Sequence, residues 1–256
     1  VYAIHLHLLE SEGENKALWF DELSMKEAEK AAEEGNVVII PCGSVEEHGS
    51  HLPLCTDSLQ AEYVALEVAR KTGCLVAPPL RYGLCNSTRN FPGTITITFE
   101  TLRNIITEIL EEFIRNSFKR LLIITGHAGG SHMTAIKLAA KKVVDNHMNE
   151  ENRPRIMVCS DYEFAFNLRG KEFDERDSHA GTIETSRIIS IRSDLIKGKG
   201  RRNFPKLPRF EVVPDPEQYF PSGVMGDPTI ASAEKGEKIN EYVIEQVVKL
   251  VEELKR

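Results

Sequence analysis

The sequence lacks the features that would place it in a membrane, in a disulfide-stapled module or on a nucleic acid. No apolar run approaches the roughly 20 residues needed to span a bilayer, and the opening VYAIHLHLLESEGE has no basic leader ahead of a long apolar stretch. The five cysteines, Cys42, Cys55, Cys74, Cys85 and Cys159, are an odd and scattered set without a CxxC pair. Such spacing argues against a disulfide framework and against a thiolate zinc site, and fits a reducing, cytoplasmic setting. No extended Lys/Arg run is present, and 32 basic against 39 acidic residues leave a net charge of -7. That balance offers no electrostatic footprint for nucleic acid, so a small-molecule partner is expected. Tryptophan is nearly absent, with Trp19 alone, and there is no internal repeat or low-complexity tract.

What is present suffices for a large core. With 41% apolar residues, the 256 positions can form one α/β domain over residues 1–256. Short β-rich runs alternate with stretches of helical period. VVIIP at 37–41 is a strand, a helix from Ser58 ends at Gly73, CLVAPPL from 74 is a strand, and FPGTITITF from 91 reads by its alternation as another. Leu102, Ile105, Ile106, Ile109, Leu110 and Phe113 mark one face of a helix, followed by the strand LLIIT at 121–125. A helix from Ser131, a strand IMVCS from 156, and a closing helix carrying Ile239, Val243, Val247, Leu250 and Leu254 complete the pattern. Strands alternating with helices imply a three-layer α/β/α sandwich with a mostly parallel central sheet. Residues 197–228, rich in Pro, Gly and charge, break the rhythm; their length suits a lid, an oligomer contact or a disordered excursion.

Three segments carry the chemistry: GSVEEHGSHLPLCTD with His48 and His51, TGHAGGSH with His127 and His132, and DSHAGTIETS with His179. The first two follow VVIIP and LLIIT, at the carboxyl ends of parallel strands, where open α/β sheets place ligands. Glu46 and His48 are two apart, so an extended backbone points both to one side, while Asp57 arrives at the start of the next helix. Such a mixed N/O set suits a divalent ion, and a carboxylate such as Asp57 can bridge two ions about 3.5 to 4 Å apart. Plainer readings stand beside these. Asp57 and Gln60 also form a helix-capping pair, Glu46 and Glu47 a solvated pair, His51 a structural or supporting histidine, and His132 a helix-surface residue. His5, His7 and His147 have no chemical context. The glycines of GHAGGSH let the backbone approach an oxyanion, but no Lys-Ser/Thr completes a P-loop. His179 and Glu184 straddle a loop-to-helix junction, so the Glu can act as a ligand while the His carries protons; Asp177 either orients His179 or lies on the surface.

Taken together, GSVEEHGSHLPLCTD, FPGT at 91–94, GHAGG at 126–130, HAGTIETS at 179–186 and the late GVMGDPTIASAEKGEK resemble the creatininase family nearly end to end. The family pattern reads GS-x-E-x-HG-x-HLPL-x-TD, FPGT, GH-x-GN and HAG-x-x-ETS. The resemblance implies metal ligands at Glu46, His48, Asp57 and His127, with Asp57 bridging, and a general acid/base at His179. Creatininases place a ligating Glu two residues after the GH histidine, where this chain has Gly129, so the fifth ligand passes to Glu184. Gly130 and Thr88 also depart from the family's usual Asn and His, and put substrate contacts in question. Creatinine is not the expected substrate, because creatininases close their site with tryptophans in the second half. The resemblance further implies two divalent ions (Zn, with Mn or Fe as alternatives), a homo-oligomer, often a hexamer, and hydrolysis of a C–N amide or formamide bond. A non-amide substrate such as a keto-inositol or ester, or a non-catalytic binding protein, are the alternatives.

Overall fold

Aliphatic runs without polar alternation are stable only where both faces of a strand are covered. VVIIPC and RLLIIT meet that condition at the centre of a four-stranded, wholly parallel sheet seen in a computed structural model that describes residues 18–256. The strands β1 (Val37–Cys42), β2 (Leu75–Val76), β3 (Arg120–Thr125) and β4 (Arg155–Ser160) lie in the order β2-β1-β3-β4. His5 and His7 lie outside the described residues.

Alternation along each strand divides the core in two. Val37, Ile39, Leu122 and Ile124 pack with the helices α2 (Thr56–Thr72) and α7 (Ala233–Lys255). The short α5 (Asp161–Ala165) and α6 (Thr182–Arg192) join them on that face. Val38, Ile40, Leu121 and Ile123 pack on the other face against α3 (Phe99–Arg115) and α4 (Gly130–Asn146), with Ala31 of α1 (Met25–Glu33). The result is the three-layer α/β/α arrangement that the alternating pattern implied. On α3 the buried stripe is Leu102, Ile106, Leu110 and Ile114, while Ile105 turns outward. On α7, Ile239, Val243, Val247 and Leu254 are fully buried and Leu250 packs at the margin.

Two expectations need correction. FPGTITITF is not a strand: only Val45 and Ile95 form a bridge there, and Ile95 is half exposed. Its period of two comes from threonines that brace loops. Thr94 Oγ1 accepts the Glu47 N–H (3.0 Å), Thr96 Oγ1 accepts the Cys85 N–H (2.9 Å), and Thr98 caps α3 through the Thr101 N–H (3.2 Å). His132, expected on a helix surface, is fully buried in the first turn of α4. Its Nδ1 accepts the Leu84 N–H (3.2 Å) and its Nε2–H donates to Thr125 Oγ1 (3.1 Å), so α4 is pinned to the end of β3. The Pro/Gly-rich residues 197–228 fold without strand or α-helix, holding a 3-10 turn at Pro216–Tyr219 and ending where another begins at Pro228–Ile230. Their far end returns to the sheet edge, where Phe220 is buried against Phe91 and Met225 bridges to His179.

Burial, and next the charge of His127, lower the His132 pKa to about 3. The unfolded chain binds this proton near 6.5 and the folded chain does not, so stability is full above 6.5 and falls with pH below it. One such group should cost about 2 kcal/mol between pH 7 and pH 5. His132→Gln, which carries no titrating group, should remove that share of the acid sensitivity in urea titrations at the two pH values; an unchanged pH dependence would contradict the assignment.

A candidate metal centre at the carboxyl edge of the sheet

Because all four strands are parallel, the loops after β1 and β3 leave from the same edge. The β1 loop carries Glu46, Glu47 and His48, the β3 loop carries His127, and α2 brings Asp57 in its first turn. Glycine permits the meeting. A Cβ on Gly126 would stand 2.1 Å from the Asp57 carbonyl oxygen, so only a bare backbone lets the end of β3 lie on α2. At Gly129, a Cβ would press 2.6 Å from His127 Nε2 and displace the ring.

The centre divides around Asp57. Its Oδ1 lies 3.1 Å from His48 Nε2, and its Oδ2 lies 3.1 Å from His127 Nδ1. Glu184 Oε2 stands 3.6 Å from His48 Nε2 on one side, and Glu46 Oε2 stands 2.8 Å from His127 Nδ1 on the other. The five residues are buried, none more than 9% exposed. Asp57 makes no capping bond: Cys55 holds the N-cap position of α2 without a side-chain bond, so the capping reading of Asp57 with Gln60 does not hold. Glu46 and Glu47 are buried, not solvated.

The imidazoles are oriented as metal-binding histidines are. His48 Nδ1–H donates to the Glu46 carbonyl (3.1 Å) and His127 Nε2–H to the Leu84 carbonyl (3.0 Å). The other nitrogen of each ring then faces carboxylate oxygens with a lone pair. Nothing stabilises a lone pair against a carboxylate except a proton or a cation between them. His48 Nε2 is buried and has no hydrogen-bond partner despite its short distance to Asp57. Hydroxyl and amide donors steady the carboxylates: Ser44 bonds to Asp57, Thr88 to Glu46, and the Ala180 N–H to Glu184. Thr88, read from sequence as a change at the substrate, is thus a partner of Glu46.

Charge makes the same demand. Among the described residues the ion-pair partners of Glu46, Asp57 and Glu184 are imidazoles, never Lys or Arg. Burial opposes charge on His48, yet Asp57 and Glu184 outweigh it and hold this histidine well above 6.5. His127 is raised likewise, with Glu46 and Asp57 overcoming burial. The donor set fits divalent ions, and ligand atoms lie within 4.8 Å of one another in three groups: Glu46 with Cys85 and His127, His48 with Asp57 and Glu184, and Glu46 with His48 and His179.

His179 approaches from the loop before α6, its ring 4.3 Å from that of His48. Its Nε2 bonds to the Glu47 carbonyl (2.9 Å) and to Glu47 Oε1 (3.1 Å). Burial and the His48 charge work against protonation, but the Glu47 bond and nearby carboxylates prevail and raise its pKa. Glu47 is therefore a partner that sequence reasoning missed; its position between two candidate ligands was the only signal. Asp177 does not orient His179. It is buried and caps α6, accepting the Thr182 N–H (2.7 Å) and the Ile183 N–H (3.0 Å). His51 supports from behind, with Nε2 2.9 Å from Thr185 Oγ1. Cys85, with no role assigned from sequence, groups with Glu46 and His127. Ala180, at φ 49°, adopts a turn unusual for a residue with a Cβ and carries its N–H to Glu184.

Sheet, edge loops and donor set together form a candidate metal centre in an α/β/α sandwich. The sequence profile described as creatinine amidohydrolase matches residues 21–251. Creatinine amidohydrolase of Pseudomonas putida is 28% identical over 93% of this chain and 98% of its own. A mycofactocin precursor peptide peptidase of Mycobacterium ulcerans is 31% identical over 82% of each chain. A solved creatininase superposes with a TM-score of 0.84 at 26% identity, covering 92% of this chain and 97% of that one; related structures are described as Zn-Zn type and as a Mn form. The chain belongs to the creatininase family of amidohydrolases.

Since protons and cations compete for His48 and His127, metal affinity should fall on acidification, beginning above the 6.5 of an ordinary imidazole. Calorimetric titration with Zn²⁺ in buffers of different ionisation enthalpy should show proton release on binding. Asp57→Asn should lower the bound metal content, read by elemental analysis; an undiminished content would count against a shared carboxylate.

Proposed function

We propose that this chain hydrolyses a C–N amide or formamide bond, other than a peptide bond, in a small polar molecule, using two divalent ions held by Glu46, His48, Asp57, His127 and Glu184. The observation that carries the reading is the split of one buried carboxylate, Asp57, between His48 Nε2 and His127 Nδ1, each 3.1 Å away, whose other ring nitrogens are turned to backbone carbonyls. Zn²⁺, with Mn²⁺ or Fe²⁺ as alternatives, would lower the pKa of a water molecule and polarise the substrate carbonyl.

The remaining work falls to the chain. Glu47 stabilises a proton on His179 Nε2 from two acceptors, its carbonyl and its carboxylate. The Glu47 bond and the nearby carboxylates raise the His179 pKa against burial, which suits this ring to pass a proton to a leaving nitrogen. The loop at Phe220–Gly226 backs this pair and limits its contact with solvent, since Met225 bridges His179 and a Cβ on Gly223 would collide with Glu47. A cleft of about 500 Å³ opens beside Leu84, whose carbonyl holds His127, and is lined by Asn86, Arg89, Thr96, Thr98 and Ser131 among others. Its lining mixes these polar side chains with Leu84, Ile97 and Phe99. Trp19, the single tryptophan, bridges to Val76 in the sheet, which supports a substrate other than creatinine.

Turnover of formamides, cyclic amides, esters and keto-sugars with Zn²⁺, Mn²⁺ or Fe²⁺ tests the reaction class. Hydrolysis confined to esters or keto-sugars would replace the amide reading. Absence of bound metal in purified protein would point to a binding protein instead. With an active substrate, His179→Ala should lower kcat by about 10²- to 10⁴-fold at unchanged metal content. Glu47→Ala should lower it by about 10- to 100-fold. Full turnover in the His179 variant would end its role as proton carrier.

A further inference from the structure

Cys85 belongs to the donor cluster yet has no part in the reading above. It is 1% exposed, and its Sγ lies within 4.8 Å of ligand atoms of both Glu46 and His127. A buried thiol is often just a small apolar filler, and burial pushes this one up to about 12, but it is set between a carboxylate and an imidazole. Its backbone is held through its own N–H and through Leu84. The Cys85 N–H donates to Thr96 Oγ1 (2.9 Å), the Leu84 carbonyl accepts from His127 Nε2 (3.0 Å), and the Leu84 N–H donates to His132 Nδ1 (3.2 Å). The segment that orients the His127 ring is therefore the one that presents the thiol. Among the described residues, Cys42, Cys55, Cys74 and Cys159 belong to no such cluster.

On the two-ion reading of the site, we propose that Cys85 is a thiolate ligand of the ion held by His127, Glu46 and Asp57. The two halves of the centre then differ in kind. His127, Glu46, Asp57 and Cys85 form a nitrogen, oxygen and sulfur set, whereas His48, Glu184 and Asp57 offer nitrogen and oxygen alone. Soft sulfur selects Zn²⁺ or Co²⁺ over Mn²⁺ or Mg²⁺, so the His127 side is the thiophilic one and the His48 side accepts harder ions. On binding, the S–H bond breaks, its proton leaves to solvent, and the sulfur electron pair forms the bond to the metal. Nothing is oxidised or reduced.

The test loads the full chain with Co²⁺ and follows absorption. The wild-type protein should show thiolate-to-cobalt charge transfer in the near ultraviolet beside the visible cobalt bands. Cys85→Ser should lose the charge transfer and retain visible bands from bound cobalt. Cobalt bound without charge transfer, or charge transfer that survives in Cys85→Ser, overturns the proposal while leaving the two-ion reading intact. No stoichiometric metal in either protein overturns both. Should Cys85→Ser fail to fold, zinc-edge X-ray absorption of the wild type decides, with a sulfur scatterer at about 2.3 Å expected and a shell of nitrogen and oxygen alone as the contrary result.

Discussion

The Asp57 carboxylate is the point on which the centre depends. It is 1% exposed and sits 3.1 Å from an imidazole nitrogen on either side, so it joins the β1 loop to the β3 loop through α2. Burying a carboxylate costs several kcal/mol unless an opposite charge offsets it, and three such groups meet here with only histidines to oppose them. The same deficit of positive charge that makes the arrangement costly makes it attractive to divalent ions. Folding and metal affinity would then be two expressions of one electrostatic balance, because a bound ion holds its ligands deprotonated.

The surrounding frame keeps that balance local. Close backbone approach at Gly126 lets β3 rest on α2, and hydroxyls from Ser44, Thr88 and Thr94 brace the β1 loop. Glu184 is secured from its own helix. One turn further along α6, Arg187 is fully buried and pairs with Asp161 at the start of α5 (2.7 Å) and with Asn240 of α7 (2.8 Å). A buried ion pair of this kind is weak evidence for stability, but it fixes α6 against two neighbours and so sets where Glu184 can stand. His179 is steadied by Glu47 and by the bridge to Met225, with its ring 4.3 Å from that of His48.

Much of the fold and the charged centre could be read along the chain. The unbroken aliphatic runs VVIIP and LLIIT can only be central strands, and the chemistry that follows each must then emerge on one edge. The FPGTITITF segment misled because threonine alternation looks the same whether it faces a ladder or braces loops. Glu47, Cys85 and His132 were silent for a related reason. A glutamate beside glutamate, a lone cysteine and a histidine on a helix have no distinguishing neighbours in sequence, and their partners His179, Glu46 and Thr125 lie 132, 39 and 7 residues away.

The sequence by itself determined the α/β alternation, the parallel sheet and the donor types gathered in the loops after two strands, because periodicity and motif spacing are local properties of the chain. Only the tertiary structure decided which donors face one another, that Asp57 stands between His48 and His127 and caps nothing, that Asp177 serves α6 and not His179, and that Cys85 turns toward His127. Those choices depend on where separate loops converge and on how much charge is buried there, and neither quantity is written in any one stretch of sequence.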